Sequence, residues 1–538
     1  MKNKLKITVI GLDGAGYYII DDWIKKGYLP NLKRIAQNGV FTILNSSFVP
    51  ITPIAWTSIT TGKNSGKHGI YDWSVRKGNT YEFDIVSSAH CKAHRVWTIL
   101  NKYGYSTGVF NIPITYPPEN VDGFFVSGFD APNIKSDFTR PSELKTEILS
   151  NIPEYELFAE VGYTKGEEKT YTETLKRHLR SKRDAINYLL DKFDCDFNIF
   201  VVMELDHLHH KLWRLVENES PLAIEVYALV DEIVGDILNR KRNENIMVIS
   251  DHGGGCLKGV VYLNNWLMKQ GFLFVNNSFL LKIKYLLSKW DLIGRAYRII
   301  SKLGLGWIKR FLSKQAQEML ATSFISFRDI NWAKTKAFAM GEFGQIYINL
   351  KGKYEQGIVD SEEYDFLIDK IIDSLKKIKD KDGSYIVDRI FKKKDLYTGE
   401  YVDDAPDVIF SFKDYAYDSS VKFGFEQKDV IGEPEFEDTG THRREGIFLA
   451  CGPIIQSTST KNVFDINDIT PTLLYMLGCP IDKNMDGKVL KEIFTDEFLK
   501  KNKINFVDGY DKDLEYKQID EKDKEEVAKR LKALGYMD

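Results

Sequence analysis

The strongest constraint on this chain is a set of short, predominantly apolar runs rich in β-branched and aromatic residues, at 7–10, 124–127, 197–203, 246–249, 408–412 and 447–450. Between them lie helix-like patterns at 32–37, 96–103, 174–193 and 224–238. A run this short that is apolar on both faces reads as a strand covered from both sides, the condition of an interior parallel strand. Strands alternating with helices predict an α/β fold, a doubly wound, mostly parallel sheet flanked by helices. At 538 residues the chain suits one large domain with insertions, or two to three domains.

Three of the runs lead into acidic residues. Residues 7–10 continue into Gly11-Leu12-Asp13-Gly14, 197–203 into Glu204-Leu205-Asp206, and 246–249 into Ser250-Asp251-His252-Gly253. Ligands of open α/β sheets collect beyond the carboxyl ends of the strands. One such aspartate alone reads as a turn or a helix cap; three together are poorly explained that way. Asp206 and His210 stand four apart, which places a carboxylate and an imidazole on one helical face. His442 lies in Gly440-Thr-His-Arg-Arg-Glu445, just ahead of the run at 447–450. A mixed Asp/His set suits zinc, with manganese as the alternative, better than calcium.

The segment Thr52-Pro-Ile-Ala-Trp-Thr-Ser-Ile-Thr-Thr61-Gly62 supplies hydroxyls. A hydroxyl at a helix N-terminus beside a metal ionises more readily and becomes a nucleophile. Thr52, Thr57, Ser58, Thr60 and Thr61 all compete on this ground, and Thr52 also reads as a plain helix N-cap ahead of Pro53.

Taken in order, Gly11-Leu-Asp-Gly14, Thr52 to Gly62-Lys-Asn-Ser-Gly-Lys-His68-Gly69-Ile70, Asp206 with His210, Asp251-His252-Gly253 and His442 make a succession of motifs. Further on come Asp465-Ile-Asn-Asp-Ile-Thr-Pro-Thr-Leu-Leu474 and Met485-Asp-Gly487. In this succession the chain resembles the type I phosphodiesterase/nucleotide pyrophosphatase branch of the alkaline phosphatase superfamily. The resemblance implies two divalent metal ions. Asp13, Asp251 and His252 would hold one, which also contacts the Thr52 oxygen; Asp206, His210 and His442 would hold the other. It implies Thr52 as nucleophile, ten residues before Gly62, and a covalent phospho-threonine intermediate in the hydrolysis of a small phosphate ester. The chain departs from the family pattern where an asparagine follows the His-Gly motif: that position is Trp73, preceded by Asp72. Trp73, Lys63 and Arg443 are therefore the candidates for substrate contact, with Lys67 beside them. The alternatives are a phosphomonoesterase, a phosphoryl or phosphono transferase of the same superfamily, and a non-catalytic metal-binding scaffold.

The net charge of -3 gives no sign of a nucleic-acid polymer as partner. The five cysteines show no paired spacing and fit a reducing compartment. With no apolar stretch long enough for a leader or a membrane span, a cytoplasmic location is expected. Oligomeric state is left open. Four parts are expected: a first core part at 1–270, a basic helical cap insertion at 271–322, a second core part at 323–498, and a charged tail helix at 499–538 that is solvated and peripheral. The insertion is basic and amphipathic over 282–314, so peripheral docking on an anionic membrane, or a partner interface, are the alternatives to a cap.

Overall fold

The computed structural model describes residues 4–158, 162–276, 327–421, 430–434, 438–458, 462–511 and 519–534. Its frame is a nine-stranded sheet. The strands are β1 (Ile7–Leu12), β2 (Val40–Asn45), β3 (Thr107–Phe110), β4 (Gly123–Val126), β5 (Thr139–Arg140), β6 (Phe197–Val202), β7 (Asn245–Ile249), β8 (Glu445–Cys451) and β9 (Phe464–Asp465). Their spatial order is β9-β2-β8-β7-β1-β6-β3-β4-β5. Among the helices are α1 (Thr52–Thr61), α2 (Glu168–Lys192), α3 (Glu204–Glu217), α4 (Pro221–Arg240) and α5 (Glu521–Leu534).

β1 is the central strand, paired in parallel with β6 on one side and β7 on the other. Its side chains alternate between two cores. Ile10 and Leu12 pack with α2 and α4, whereas Ile7 and Val9 pack with α1 and with the helices Val96–Lys102 and Ile469–Met476. That two-sided burial is why these strands read as unbroken apolar runs. β8 runs antiparallel to both β7 and β2. Its amino end therefore lies at the same edge as the carboxyl ends of β7, β1 and β6.

The structure corrects three of the expectations. The run Val408–Phe412 is not in the main sheet. It belongs to a four-stranded antiparallel sheet with Ala337–Ala339, Gln345–Ile348 and Val387–Lys392, over a core of its own. A continuous apolar run reports burial on both faces, not strand direction, which is also why β8 turns out antiparallel. The tail helix is solvated on one face only: Glu521, Lys522, Glu525 and Lys529 are exposed, whereas Val527 and Leu531 are buried in the core that also holds Trp73, and Arg530 donates to the carbonyls of Phe129, Ala131 and Pro132. Strands β2 and β3 had no clear run. β2 alternates buried and half-buried positions, and β3 is only four residues long and begins Thr-Gly.

The expected cap at 271–322, with its membrane-docking and partner alternatives over 282–314, falls almost wholly on 277–326, outside the described residues. On either side of that stretch Val275 and Ile330 form an antiparallel bridge. No helix among the described residues is long and apolar enough to cross a membrane.

Candidate metal centre

The carboxyl ends of β7, β1 and β6 lie side by side, and each delivers acidic or imidazole groups to one place. Asp13 follows β1 directly, its N–H still bonded to the Val202 carbonyl of β6 (2.9 Å). Gly14 takes a left-handed φ of 74° and donates its N–H to Asp251 Oδ1 (3.2 Å). A Cβ there would also meet the Asp206 backbone at 3.0 Å, so the turn requires glycine. Asp206 sits in the first turn of α3 and His210 one turn later.

The sixth group comes from far along the chain. α3 departs from helical geometry at Leu212 (φ −129°, ψ 33°), and Thr439 fills the broken ladder. The Thr439 N–H donates to the His210 carbonyl (2.8 Å), its hydroxyl donates to the Lys211 carbonyl (3.0 Å), and the Trp213 N–H donates to that hydroxyl oxygen (2.8 Å). Gly440 lies flat against α3, where a Cβ would fall 2.2 Å from the His209 carbonyl oxygen. This stitching holds the strand Gly440–Arg443 on α3 and brings His442 Nε2 to 2.9 Å from His210 Nε2.

The six side chains form two groups. In the first, His252 Nε2 lies 3.6 Å from Asp13 Oδ1 and 3.3 Å from Asp251 Oδ2. In the second, Asp206 Oδ1 lies 3.5 Å from both His210 Nε2 and His442 Nε2. Ligands about 2.1 Å from one tetrahedral ion are about 3.4 Å apart, so both groups could each hold a divalent cation. They adjoin, because the His252 and His442 rings stack at 3.8 Å. His252 Nδ1 bonds to the Gly253 carbonyl (3.0 Å) and His442 Nδ1 to the Pro50 carbonyl (2.7 Å), which turns both Nε2 atoms inward.

The unpartnered atoms test the fit. Asp13 Oδ1, Asp251 Oδ2, His252 Nε2 and Thr52 Oγ1 are all buried without a hydrogen-bond partner. Buried polar atoms are seldom left this way. A cation held by Asp13, Asp251 and His252 would account for the first three, and the Thr52 oxygen is left without a partner in the same way. The electrostatics agree. Burial, then the neighbouring Asp251 and Asp206 charges, push the Asp13 carboxyl well above the usual range, and burial with Asp206 pushes Asp251 up to about 8. Burial would also raise Asp206, but His210 and His442 outweigh it and hold that carboxyl well below the usual range. Burial lowers His252 well below its ordinary value and His210 to about 3. Burial would lower His442, but Asp206 outweighs it and raises that imidazole, so three carboxylates and two lowered imidazoles share only one group that readily carries positive charge, and added cations are favoured.

Thr52 opens α1, and Ile51, not Thr52, occupies the N-cap position without a side-chain capping bond. The other hydroxyls are engaged. Thr57, Thr60 and Thr61 bond back to carbonyls of their own helix, and Ser58 bonds to His68 Nε2 (3.1 Å). α1 is pinned to both groups: Trp56 Nε1 donates to Asp13 Oδ2 (2.7 Å), and the Pro50 carbonyl receives His442. Neither tie was legible in the sequence, because each depends on a partner distant along the chain.

The proposed substrate contacts are employed elsewhere. Lys63 is buried and ion-paired with Asp482 (2.9 Å) and Asp511. Arg443 follows His442 on one strand, so it faces the other way, and its guanidinium donates to the carbonyls of Tyr415 (3.0 Å) and Cys256 (2.7 Å). Trp73 is core, edge-on to Phe129. Lys67 pairs with Asp486 (2.6 Å). A lysine or arginine near a motif carries no signal of whether an acid or a carbonyl is waiting for it.

A family model described as type I phosphodiesterase / nucleotide pyrophosphatase matches residues 7–420, which includes five of the six groups and Thr52 but stops short of His442. No curated protein matches by sequence. Among solved structures, human ectonucleotide pyrophosphatase / phosphodiesterase 5 superposes with a TM-score of 0.50 at 13% identity, covering 91% of this chain and 100% of that one. The murine form, solved as an inactive threonine-to-alanine variant in complex with AMP, gives 0.50 at 14% identity over the same shares. Phosphonoacetate hydrolase from Sinorhizobium meliloti 1021, in complex with phosphonoformate, gives 0.54 at 13% identity, covering 88% of this chain and 95% of that one. At such identities these likenesses speak for the fold, and the family match speaks for the class. The chain belongs to the type I phosphodiesterase / nucleotide pyrophosphatase family of phosphoester hydrolases.

Proposed function

We propose that the chain hydrolyses small phosphate esters by in-line displacement, with Thr52 as nucleophile between two metal-binding groups, Asp13/Asp251/His252 and Asp206/His210/His442. The observation that carries this reading is the set of four buried, unpartnered atoms, the Thr52 hydroxyl oxygen among them. Two divalent ions, zinc by the mixed Asp/His donor set with manganese as the alternative, would supply Lewis-acid stabilisation of the charge that develops on the phosphoryl oxygens. The protein's own groups do the rest. Thr52 stands at the positive end of α1, which favours its alkoxide. Its oxygen attacks phosphorus as the ester P–O bond breaks and the alcohol leaves; water then cleaves the bond between phosphorus and the Thr52 oxygen, restoring the hydroxyl and releasing a phosphomonoester from a diester or phosphate from a monoester. Trp56 and the Pro50 carbonyl keep α1 and the two groups in register. The murine relative, inactive with a threonine replaced by alanine and bound to AMP, supports this role for a threonine. Five free thiols support a reducing, cytoplasmic setting.

The test is turnover by the purified, metal-analysed protein on paired mono- and diesters of one chromogenic alcohol, with free acceptor alcohols added to separate hydrolysis from transfer. Diester turnover that needs two metals per chain is expected. A fully metal-loaded protein that turns over neither ester refutes the reading.

A further inference from the structure

A second cavity lies away from the metal centre. It is a cleft of about 500 Å³ between the end of the helix Leu263–Lys269, the end of the helix Ser361–Leu375 and the strand Ile431–Gly432. Neither Thr52 nor any of the six candidate ligands lines it. Its described lining carries four lysines, Lys269, Lys377, Lys379 and Lys381, and no arginine. Trp266 and Ile378, both buried, add apolar surface to the same cleft.

Lysines at the ends of helices are ordinary, because they offset the negative end of the helix dipole. That accounts for Lys269 and Lys377, which close two helices, but not for Lys379 and Lys381. Those two lie beyond the helix, in a tight hairpin. Lys379 bridges Tyr385, the Ile386 N–H donates to the Ile378 carbonyl (3.2 Å), the Asp380 N–H donates to the Ser384 carbonyl (2.9 Å), and Gly383 takes a left-handed φ of 84° at the tip. The charge is not balanced locally. Asp380 is the one acid among the described lining residues, and it is already engaged by the Tyr417 hydroxyl, with Lys413 Nζ at 3.9 Å. Lys381 reaches Glu433 at 3.1 Å, but those side chains are 72% and 81% exposed, so the pair holds little. Lys379 stands over the Tyr385 ring, 4.6 Å from its centre. The cleft therefore keeps an excess of ammonium groups around an apolar lining.

We propose that this cleft is a second ligand site, for a small organic phosphate whose charged group sits on an apolar body. Ammonium groups act as point charges and can meet a tetrahedral phosphate from several directions, whereas a planar carboxylate is better matched by the guanidinium fork that the described lining lacks. The volume falls in the range of small-molecule sites, and the buried indole and isoleucine give the organic part something to pack against. The site needs neither metal group, and it stands or falls independently of the phosphate-ester reading.

The test is lysine acetylation of the full-length, metal-loaded protein, read residue by residue by mass spectrometry, with and without benzylphosphonate, which has no ester bond to lose. Because each lysine is read separately, probe bound at the metal centre does not enter the result. At about 10 mM probe, acetylation of Lys377, Lys379 and Lys381 is expected to slow at least about threefold, and raising the salt from about 0.05 to 0.5 M is expected to remove most of that protection. Lys351 and Lys501, exposed and ion-paired elsewhere, are expected to be unaffected. Methylphosphonate has the same charge without the ring and is expected to need about tenfold more for equal protection. In the double variant Lys379→Ala, Lys381→Ala the protection of Lys377 is expected to disappear, with ester turnover at the metal centre unchanged. No protection of the cleft lysines at about 10 mM probe overturns the proposal. So does equal protection of Lys351 and Lys501, which would be general screening by the anion, and so does equal protection by methylphosphonate, which would leave the apolar lining without a role.

Discussion

Replacing Trp56 with phenylalanine separates the two metal groups. The indole Nε1–H donates to Asp13 Oδ2 across 2.7 Å, both residues fully buried. Phenylalanine removes that donor and leaves a buried carboxylate oxygen short of a partner, a loss of about 1.5–3 kcal/mol for a bond to a charged group. At 1.4 kcal/mol per tenfold this is about 10–100-fold in affinity at the Asp13/Asp251/His252 group, the range found for outer partners of metal ligands. The bond also lowers the Asp13 pKa, so without it that carboxyl rises further and occupancy moves to higher pH. The second group is tied through Pro50 and Thr439 instead and should keep its affinity within about threefold. A packing cost comes with the substitution: the indole edge lies against Gly11 of β1, where a Cβ would be 2.3 Å from its ring, and the smaller side chain leaves a void worth about 1–3 kcal/mol. Metal content after dialysis against graded chelator buffers reads affinity; thermal unfolding in excess chelator reads packing. Equal loss at both groups, or a drop in metal-free stability with unchanged metal affinity, would refute the reasoning.

Three further outcomes follow from the same geometry. Thr52→Ala should lower kcat/KM by at least about a thousandfold while both metals stay bound; a variant keeping more than about a tenth of the activity would move the nucleophile elsewhere. In chelator, stability should fall as pH rises from about 6.5 to 8. The folded-state pKa of Asp251 is raised to about 8 and that of His442 is raised as well, so each contributes stability that is present below its unfolded value and lost on rising through its folded one. His210 and His252, with lowered values, are neutral in the folded state throughout, and their opposing contribution is confined to the low end of the window, where the unfolded imidazoles are still losing protons; metal loading should flatten the curve, and metal-free stability that climbs all the way from pH 6.5 to 8 would contradict this. Lys63→Met should cost about 3–5 kcal/mol in denaturant unfolding, because Asp482 is left buried and unpaired, with kcat per folded molecule unchanged; altered substrate affinity would restore Lys63 to the site.

The sequence by itself determined the centre of the molecule. Interior parallel strands must be apolar on both faces, so β1, β6 and β7 were visible as runs, and the chain must turn where each ends, so Asp13, Asp206 and Asp251 were visible as acids at those turns. The Asp206/His210 spacing survived because α3 is regular up to that point; the helix breaks only at Leu212. What the sequence could not carry was anything decided by a distant partner. Val408–Phe412 is as apolar as β1, yet it pairs in another sheet, because burial leaves strand partners unspecified. Five hydroxyls of α1 were equivalent until the helix formed and three of them bonded to their own backbone, a fourth to His68, leaving Thr52. Lys63 and Arg443 had the charge to meet a phosphate, but Asp482 lies 419 residues away in the chain and a pair of carbonyls claims the guanidinium. The turn carrying Phe343 had no signal beyond two glycines, since it is held by Asp72, 270 residues earlier, and by Ser419. Local pattern fixes which faces are buried and where the chain turns; which side chain remains free to do chemistry is settled only when every other partner has been placed.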